Sequence, residues 1–285
     1  MRTLFKSLAI IGLLFLNISC NLFKKKSEDV IAPMDTTPEY QKAIDAKFKS
    51  IGWSTDGHSK FNNSNPVKTV GGKGYVQYYA FGDRKTAIYY YEGKGAFAMD
   101  TEEMKAYDTA GQDNWGLVVS DPKATVSGGC GYNDIITVDG KEAIITCQNL
   151  VYGNVYAKYK EIGRWDSPIG LPTSSEKDTP SANPAYAKGR YNDFQKGTIW
   201  SFNTGTYALW GKTWTMYSKQ DWERGWLKLP KESCDPKKAD NLQTVNFQGG
   251  AIKTGPNCGA YFNLANETIF QNGTKSANVS LIPCY

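Results

Sequence analysis

An internal repeat constrains the fold of this chain more than any other feature of its sequence. The run AKFKSIG at residues 46–52 returns as AKYKEIG at residues 157–163, 111 positions later, and YND occurs at both 132–134 and 191–193. Such self-similarity is typical of folds in which each unit buries its hydrophobic face against its neighbours. The pattern predicts four units, at residues 40–92, 93–150, 151–210 and 211–265.

The clearest unit, residues 153–210, combines a short helix with a β-hairpin. A helical pattern spans residues 153–162 and ends at Gly163. Aromatic residues alternate on both sides of a turn at 203–205, which is typical of a hairpin. The same order of elements starts again at Gly211.

The two ends of the array complement each other. It begins with a predicted helix at residues 40–52 and ends with a predicted hairpin at residues 245–262. Because the last hairpin could complete the first unit, closure would leave no repeat edge exposed. We therefore expect an α+β repeat fold, mainly β, closed into a propeller-like ring of four helix-plus-hairpin units, with an open stack as the alternative.

The central units resemble the LGFP repeat family. The resemblance is carried by Ile169-Gly170-Leu171-Pro172, followed by GRYNDFQKGTIW at residues 189–200 and ALWG at 208–211. Leu227-Lys228-Leu229-Pro230 begins a more distant copy, and the first unit has no clear core motif. The resemblance implies a repeat module of a secreted bacterial protein that binds cell-wall polysaccharide.

The N-terminal segment predicts export and a lipid anchor. Residues 1–19 have the build of a signal peptide, with basic residues before the apolar run 8–16, and Cys20 follows the expected cleavage site. This arrangement indicates a bacterial lipoprotein anchored to the membrane through Cys20, with plain secretion as the alternative. Residues 20–39 are expected to be the anchor and a flexible tether, and residues 40–285 the extracytoplasmic repeat domain, with a tail at 266–285.

The other five cysteines predict disulfides in an oxidising compartment. Cys130 and Cys147 bracket one predicted hairpin, and Cys234 and Cys258 bracket the corresponding hairpin of the last unit. Cys284 is left over and could replace Cys258 as the partner of Cys234. No CxxC pair or Cys/His cluster occurs, so neither a metal site nor a cofactor is expected.

Catalytic signals are weak. His58 is the only histidine, and it lies in a polar connector without a nucleophile motif. A glycoside hydrolase needs only two carboxylates, with Asp134, Asp166 and Asp193 as candidates, and it stays a minor alternative. Asp134 and Asp193 recur at one place in the hairpins, which favours a structural role. The formal charge of +5 is too small to indicate nucleic-acid binding.

Tryptophans in the polar segments after the helices suggest grooves between repeats that bind polysaccharide. Aromatic faces beside polar side chains are the usual means of recognising sugars. The candidate platforms are Trp115, Trp165 and Trp222. Their candidate hydrogen-bonding partners are Arg164, Asp166, Asp221 and Arg224.

Three other interpretations remain open. The tryptophans could instead fill the core between units. The repeat disc could be a structural module or dock a partner protein, which would require a contiguous apolar patch. A secreted eukaryotic glycoprotein is a minor alternative, because four acceptor triplets for N-glycosylation occur, at Asn62, Asn266, Asn272 and Asn278.

Overall fold

The computed structural model describes residues 36–124, 130–180, 188–256, 258–263, 269–271 and 274–275. The predicted signal peptide and Cys20 lie outside these residues. The described residues from Thr37 onward form one compact unit. Its helices are α1 (Glu39–Ser50), α2 (Thr101–Thr109), α3 (Gly153–Glu161) and α4 (Gly211–Ser218). No helix within the described ranges is long and apolar enough to cross a membrane.

Each helix is followed by one antiparallel sheet, which confirms the order of elements predicted from the repeat. The first sheet contains β1 (Ser59–Lys60), β2 (Val67–Lys68), β3 (Gly74–Phe81), β4 (Arg84–Tyr91) and β5 (Gly95–Met99). The second contains β6 (Gly116–Val118), β7 (Lys123–Ala124), β8 (Gly131–Thr137), β9 (Glu142–Thr146) and β10 (Asn149–Tyr152). The third contains β11 (Lys177–Asp178), β12 (Arg190–Phe194), β13 (Gly197–Phe202) and β14 (Gly205–Trp210). The fourth contains β15 (Thr244–Asn246), β16 (Gly250–Gly255), β17 (Cys258–Asn263), β18 (Ile269–Gln271) and β19 (Thr274–Lys275).

The first three sheets are covered on both faces, because a helix packs on each side. On β4, Ile88 belongs to a core cluster with Ile44 of α1. Its neighbour Tyr89 points to the opposite face and packs in a second cluster with Tyr107 of α2. A strand covered on both sides reads as a continuous apolar run, as the TAIYYY segment of β4 does.

The predicted closed ring is wrong. The described strands form four separate open sheets, and no ring or propeller is found among them. Consecutive sheets already share a helix: α2 contacts β4 and β9, and α3 contacts β9 and β13. Because neighbours bury each other's faces in chain order, closure is not needed to cover them. A helix-first, hairpin-last sequence is equally the pattern of an open stack.

Two buried asparagines join consecutive sheets and account for the repeated YND triplet. Asn133 of β8 donates from Nδ2 to the carbonyl of Ala98 in the first sheet, at 2.9 Å. Asn192 of β12 makes the equivalent bond to the carbonyl of Leu150 in the second sheet, at 3.0 Å. Each Nδ2 also bonds a carbonyl in the loop before its own strand, Ser120 or Ser174. The side chains thus satisfy backbone groups at the junction between sheets.

A tyrosine in each of three helices fastens the helix to the loop that follows it. The phenol donates to a backbone carbonyl in all three cases. The pairs are Tyr107 with Gly116 at 2.5 Å, Tyr159 with Gly170 at 2.8 Å, and Tyr217 with Lys228 at 2.7 Å. These equivalent hydrogen bonds show that the last three units share the same local structure.

The cysteines are described in part. Cys130 and Cys147 form the predicted disulfide, which links residues flanking the β8–β9 hairpin. Cys234 is buried, and no cysteine among the described side chains forms a disulfide with it. The side chain of Cys258 and all of Cys284 lie outside the described residues, so the pairing of Cys234 stays a prediction.

Candidate functional site

The turns after α2, α3 and α4 are structurally equivalent, and they carry all the predicted ligand-binding residues. Each begins with a residue in the left-handed region, namely Gly111, Gly163 and Asp221, with φ of 93°, 104° and 61°. A three-residue 3-10 turn follows each one. The turns are Gln112–Asn114, Arg164–Asp166 and Trp222–Arg224.

This alignment separates the three predicted tryptophan platforms. Trp222 is the first residue of its turn, and Trp165 is the second residue of its turn. Trp115 directly follows its turn. The three rings therefore occupy three different positions, and the same chemistry is not repeated from unit to unit.

After α4, the turn and the third sheet enclose a cleft of about 250 Å³. The sheet contributes residues from one face, because Tyr191 pairs with Trp200 and Asp193 with Thr198 across β12 and β13. The lining consists of Pro180, Tyr191, Asp193, Thr198, Trp200, Trp222, Glu223 and Arg224. It thus includes two of the predicted site residues, Trp222 and Arg224.

Aromatic packing fixes the position of Trp222, which is half-buried. Its ring lies 5.6 Å from that of Trp200, 5.8 Å from Trp214 and 5.5 Å from Tyr217, between ring centroids. Trp214 is itself fixed by a hydrogen bond of 3.0 Å from its Nε1 to the hydroxyl of Thr198. The cleft therefore has a preorganised aromatic wall, which suits binding at low entropic cost.

Charged groups surround this wall. Asp193 accepts a hydrogen bond from Thr198 at 2.9 Å and pairs with Lys177 at 3.4 Å. Arg224 is exposed and pairs with Asp221 at 2.6 Å. Glu223 is only 6% exposed, and burial raises the pKa of its carboxyl above the ordinary value.

At the corresponding position after α3, a tryptophan contributes to the core instead. Trp165 is 9% exposed and packs against Tyr132, with the ring centroids 4.7 Å apart. The Arg164 guanidinium lies over Trp165 and Tyr156, and Asp166 is exposed. None of these residues lines the cleft after α4.

After α2, residues 69–73 pack against the turn at the position that corresponds to Glu223. Asp113 is fully buried and accepts hydrogen bonds from the amides of Gly71 and Lys73, at 2.6 and 2.7 Å, and from the hydroxyl of Thr69. The following Trp115 is half-buried and meets Tyr152 edge to face at 5.5 Å. These bonds tie the first sheet to the α2 turn.

Tyr152 lines a second cleft of about 230 Å³ beside the third sheet. Its phenol accepts a hydrogen bond from Arg190 at 2.9 Å, and Arg190 pairs with Glu176 at 2.7 Å. Burial raises the pKa of Glu176. The neighbouring Tyr152 and Arg190 partly offset this rise by favouring the charged carboxylate. Because Arg190 and Tyr191 alternate along β12, this cleft lies on the opposite face of the sheet from the aromatic one.

Sequence reasoning did not assign six of the eight residues that line the aromatic cleft to a binding site: Pro180, Tyr191, Asp193, Thr198, Trp200 and Glu223. The alternation of Tyr191-Asn192-Asp193 and Thr198-Ile199-Trp200 could have placed two aromatic and two polar side chains on one face. Nothing in the sequence distinguishes Glu223 from an exposed glutamate, because its burial depends on tertiary packing.

The residues considered for metal binding or catalysis make local contacts within the described part of the chain. No group of three or more His, Cys, Asp or Glu side chains in the described part of the chain could hold a metal ion. His58 stacks between Trp53 and Phe81, at 4.3 and 4.4 Å, and contacts Asp56. Asp134 pairs with Lys123 at 2.6 Å, as Asp193 does with Lys177. These contacts give His58 and Asp134 structural roles.

The part of the chain that matches a known repeat family includes the aromatic cleft. A search of the curated proteins gives no match to this chain. The LGFP repeat family matches residues 169–225, and all eight residues that line the aromatic cleft fall within this range. The LGFP repeat is a non-catalytic repeat that suggests a cell-surface-associated module, and residues 169–225 of this chain match that repeat.

Proposed function

We propose that this protein is a non-catalytic, extracytoplasmic module that binds cell-wall or surface polysaccharide in the aromatic cleft. The observation that carries the proposal is the fixed wall formed by Trp200 and Trp222 beside Asp193 and Arg224. Sugar rings stack their C–H faces on aromatic rings, and their hydroxyls bond carboxylates and guanidinium groups. The cleft lies between the third predicted unit, residues 151–210, and the fourth, residues 211–265, as a groove between repeats would, and all of its lining falls within the matched residues 169–225.

The proposed attachment has two points. The cleft would bind the polysaccharide, and a lipid on Cys20 would anchor the protein to the membrane. This arrangement would keep the repeat domain outside the membrane, between an anchor and a wall polymer. The support for the anchor is the signal-peptide pattern before Cys20.

Sedimentation with insoluble wall polysaccharide and with peptidoglycan tests the proposal. We expect saturable binding by the protein and a loss of about two- to tenfold in affinity for Trp222→Ala, since stacking on an aromatic ring is worth about 0.5–1.5 kcal/mol. Arg224→Ala changes an exposed side chain of the same cleft and should also weaken binding. Phe61→Ala removes an exposed aromatic ring outside the cleft and serves as the matched control.

Two results would overturn the proposal. One is equal binding by Trp222→Ala, Arg224→Ala and the unmodified protein, with the fold intact by circular dichroism. The other is an absence of binding to every wall fraction, which would favour a protein partner.

A further inference from the structure

Glu223 is a buried carboxylate that forms no ion pair among the described residues, and its own backbone amide and the charge of Arg224 only partly offset the cost of its burial. Its side chain lines the aromatic cleft, and the residue is 94% buried. No ion pair among the described residues includes Glu223, and the adjacent Arg224 is bound to Asp221 instead. A buried carboxylate of this kind is costly to keep ionised unless a donor reaches it.

The equivalent carboxylate elsewhere in the molecule has such donors. Asp113 holds the same position in the α2 turn and receives two amide hydrogens and one hydroxyl from residues 69–73. After α3, the position belongs to Trp165, so no carboxylate needs a donor. Glu223 differs from both, since it keeps the carboxylate but faces a cleft.

The surrounding side chains favour a cation as the missing partner. The faces of aromatic rings attract positive charge, most strongly for tryptophan. The third sheet already shows this pairing, because the Lys177 ammonium lies 5.8 Å from the Tyr191 ring centroid and 3.4 Å from Asp193. Trp222 and Glu223 offer a second ring and carboxylate in the same cleft.

We propose that the aromatic cleft binds a free, positively charged amine on its ligand, which makes the favoured ligand a polysaccharide that contains de-N-acetylated amino sugars. Glu223 would accept the N–H bonds of the ammonium, and the rings of Trp200 and Trp222 would face its charge. Asp193 and Thr198 remain for neighbouring hydroxyls. This inference rests on the proposed polysaccharide-binding function and specifies its ligand.

A matched pair of oligosaccharides tests it by titration calorimetry. The probes are glucosamine and N-acetylglucosamine hexamers with the same linkage, titrated into the protein at pH 6. We expect the free amine to bind at least about tenfold more tightly, and Glu223→Gln to remove that preference. Glu161→Gln removes an exposed carboxylate outside the cleft and should keep the preference.

The outcomes separate the two proposals. Equal affinity for the two hexamers, or tighter binding of the acetylated one, overturns the amine inference and leaves polysaccharide binding standing. Failure of the amine hexamer to bind, while wall polysaccharide still sediments the protein, also overturns it. If neither hexamer nor any wall fraction binds, polysaccharide binding itself fails. Because both hexamers are compared on the unmodified protein, the decision does not depend on the folding of the variant.

Discussion

Replacement of Glu103 by glutamine should stabilise the protein at neutral and alkaline pH. Glu103 lies in the first turn of α2, where it is 5% exposed, and burial raises the pKa of its carboxyl from 4.5 to about 7. The backbone amide of Glu103 itself and, to a smaller extent, that of Cys147 partly offset this shift by favouring the charged form. Helices α3 and α4 carry Val155 and Thr213, also buried, at the equivalent position.

The magnitude follows from the pKa difference. A carboxyl with a raised folded-state pKa binds its proton more tightly in the folded protein, so its contribution is fully favourable below about pH 4.5 and is lost as the pH rises to about 7. At about 1.4 kcal/mol per unit of pKa, the loss is about 3 kcal/mol, which is an upper value because local relaxation reduces it. Glutamine can still accept the Cys147 amide without carrying the charge.

Urea unfolding between pH 4 and pH 8 measures this effect. Glu103→Gln should gain up to about 3 kcal/mol over the unmodified protein at pH 8 and show little difference at pH 4. Glu102→Gln is the matched control, because Glu102 occupies the same turn, is half-exposed and pairs with Lys105. A difference between Glu103→Gln and the unmodified protein that does not change with pH would refute the reasoning.

Three further predictions concern the repeated contacts. Tyr159→Phe leaves the Gly170 carbonyl without its donor and should lower the free energy of unfolding in urea by about 1–3 kcal/mol. Tyr156→Phe is the control and should cost little, because the Tyr156 phenol makes no hydrogen bond in the described residues. Equal losses of stability in the two variants would contradict this. Asn192→Ala removes two bonds to buried carbonyls and should cost about 2–4 kcal/mol by the same assay, and an unchanged midpoint would show that the junction does not need them. Reduction of the Cys130–Cys147 disulfide, which closes a loop of 17 residues, should cost about 3 kcal/mol and lower the melting temperature; calorimetry with and without reductant checks this, and an unchanged melting temperature would rule it out.

The local structure was largely predictable from the sequence. The helix predicted at residues 153–162 is observed at Gly153–Glu161, and the hairpin around residues 203–205 is observed as β13 and β14. These elements follow from periodicity and from glycine at their ends, which act over a few residues. Whether the array of units closes into a ring depends instead on which elements cover the faces of each sheet. The sequence of a strand such as β4 does not show that helices pack on both of its sides.

The site was predictable only in part, for a related reason. Trp222 and Arg224 line the cleft, but Trp165 is buried one position further along its turn. Counting residues from the left-handed positions Gly163 and Asp221 would have separated the two tryptophans. The burial of Glu223 could not be found in this way, because it comes from packing of the turn against another element.

The open chain of sheets has a consequence for how such a domain could vary in length. Each junction between described sheets is made by contacts between chain neighbours, such as the hydrogen bond from Asn192 to the carbonyl of Leu150. The first and last sheets need not contact each other to complete the fold. Inserting or deleting a whole helix-plus-sheet block would therefore leave the other junctions unchanged, whereas a ring would have to alter every angle. The number of blocks can thus be adjusted to the span required without redesign of the blocks themselves.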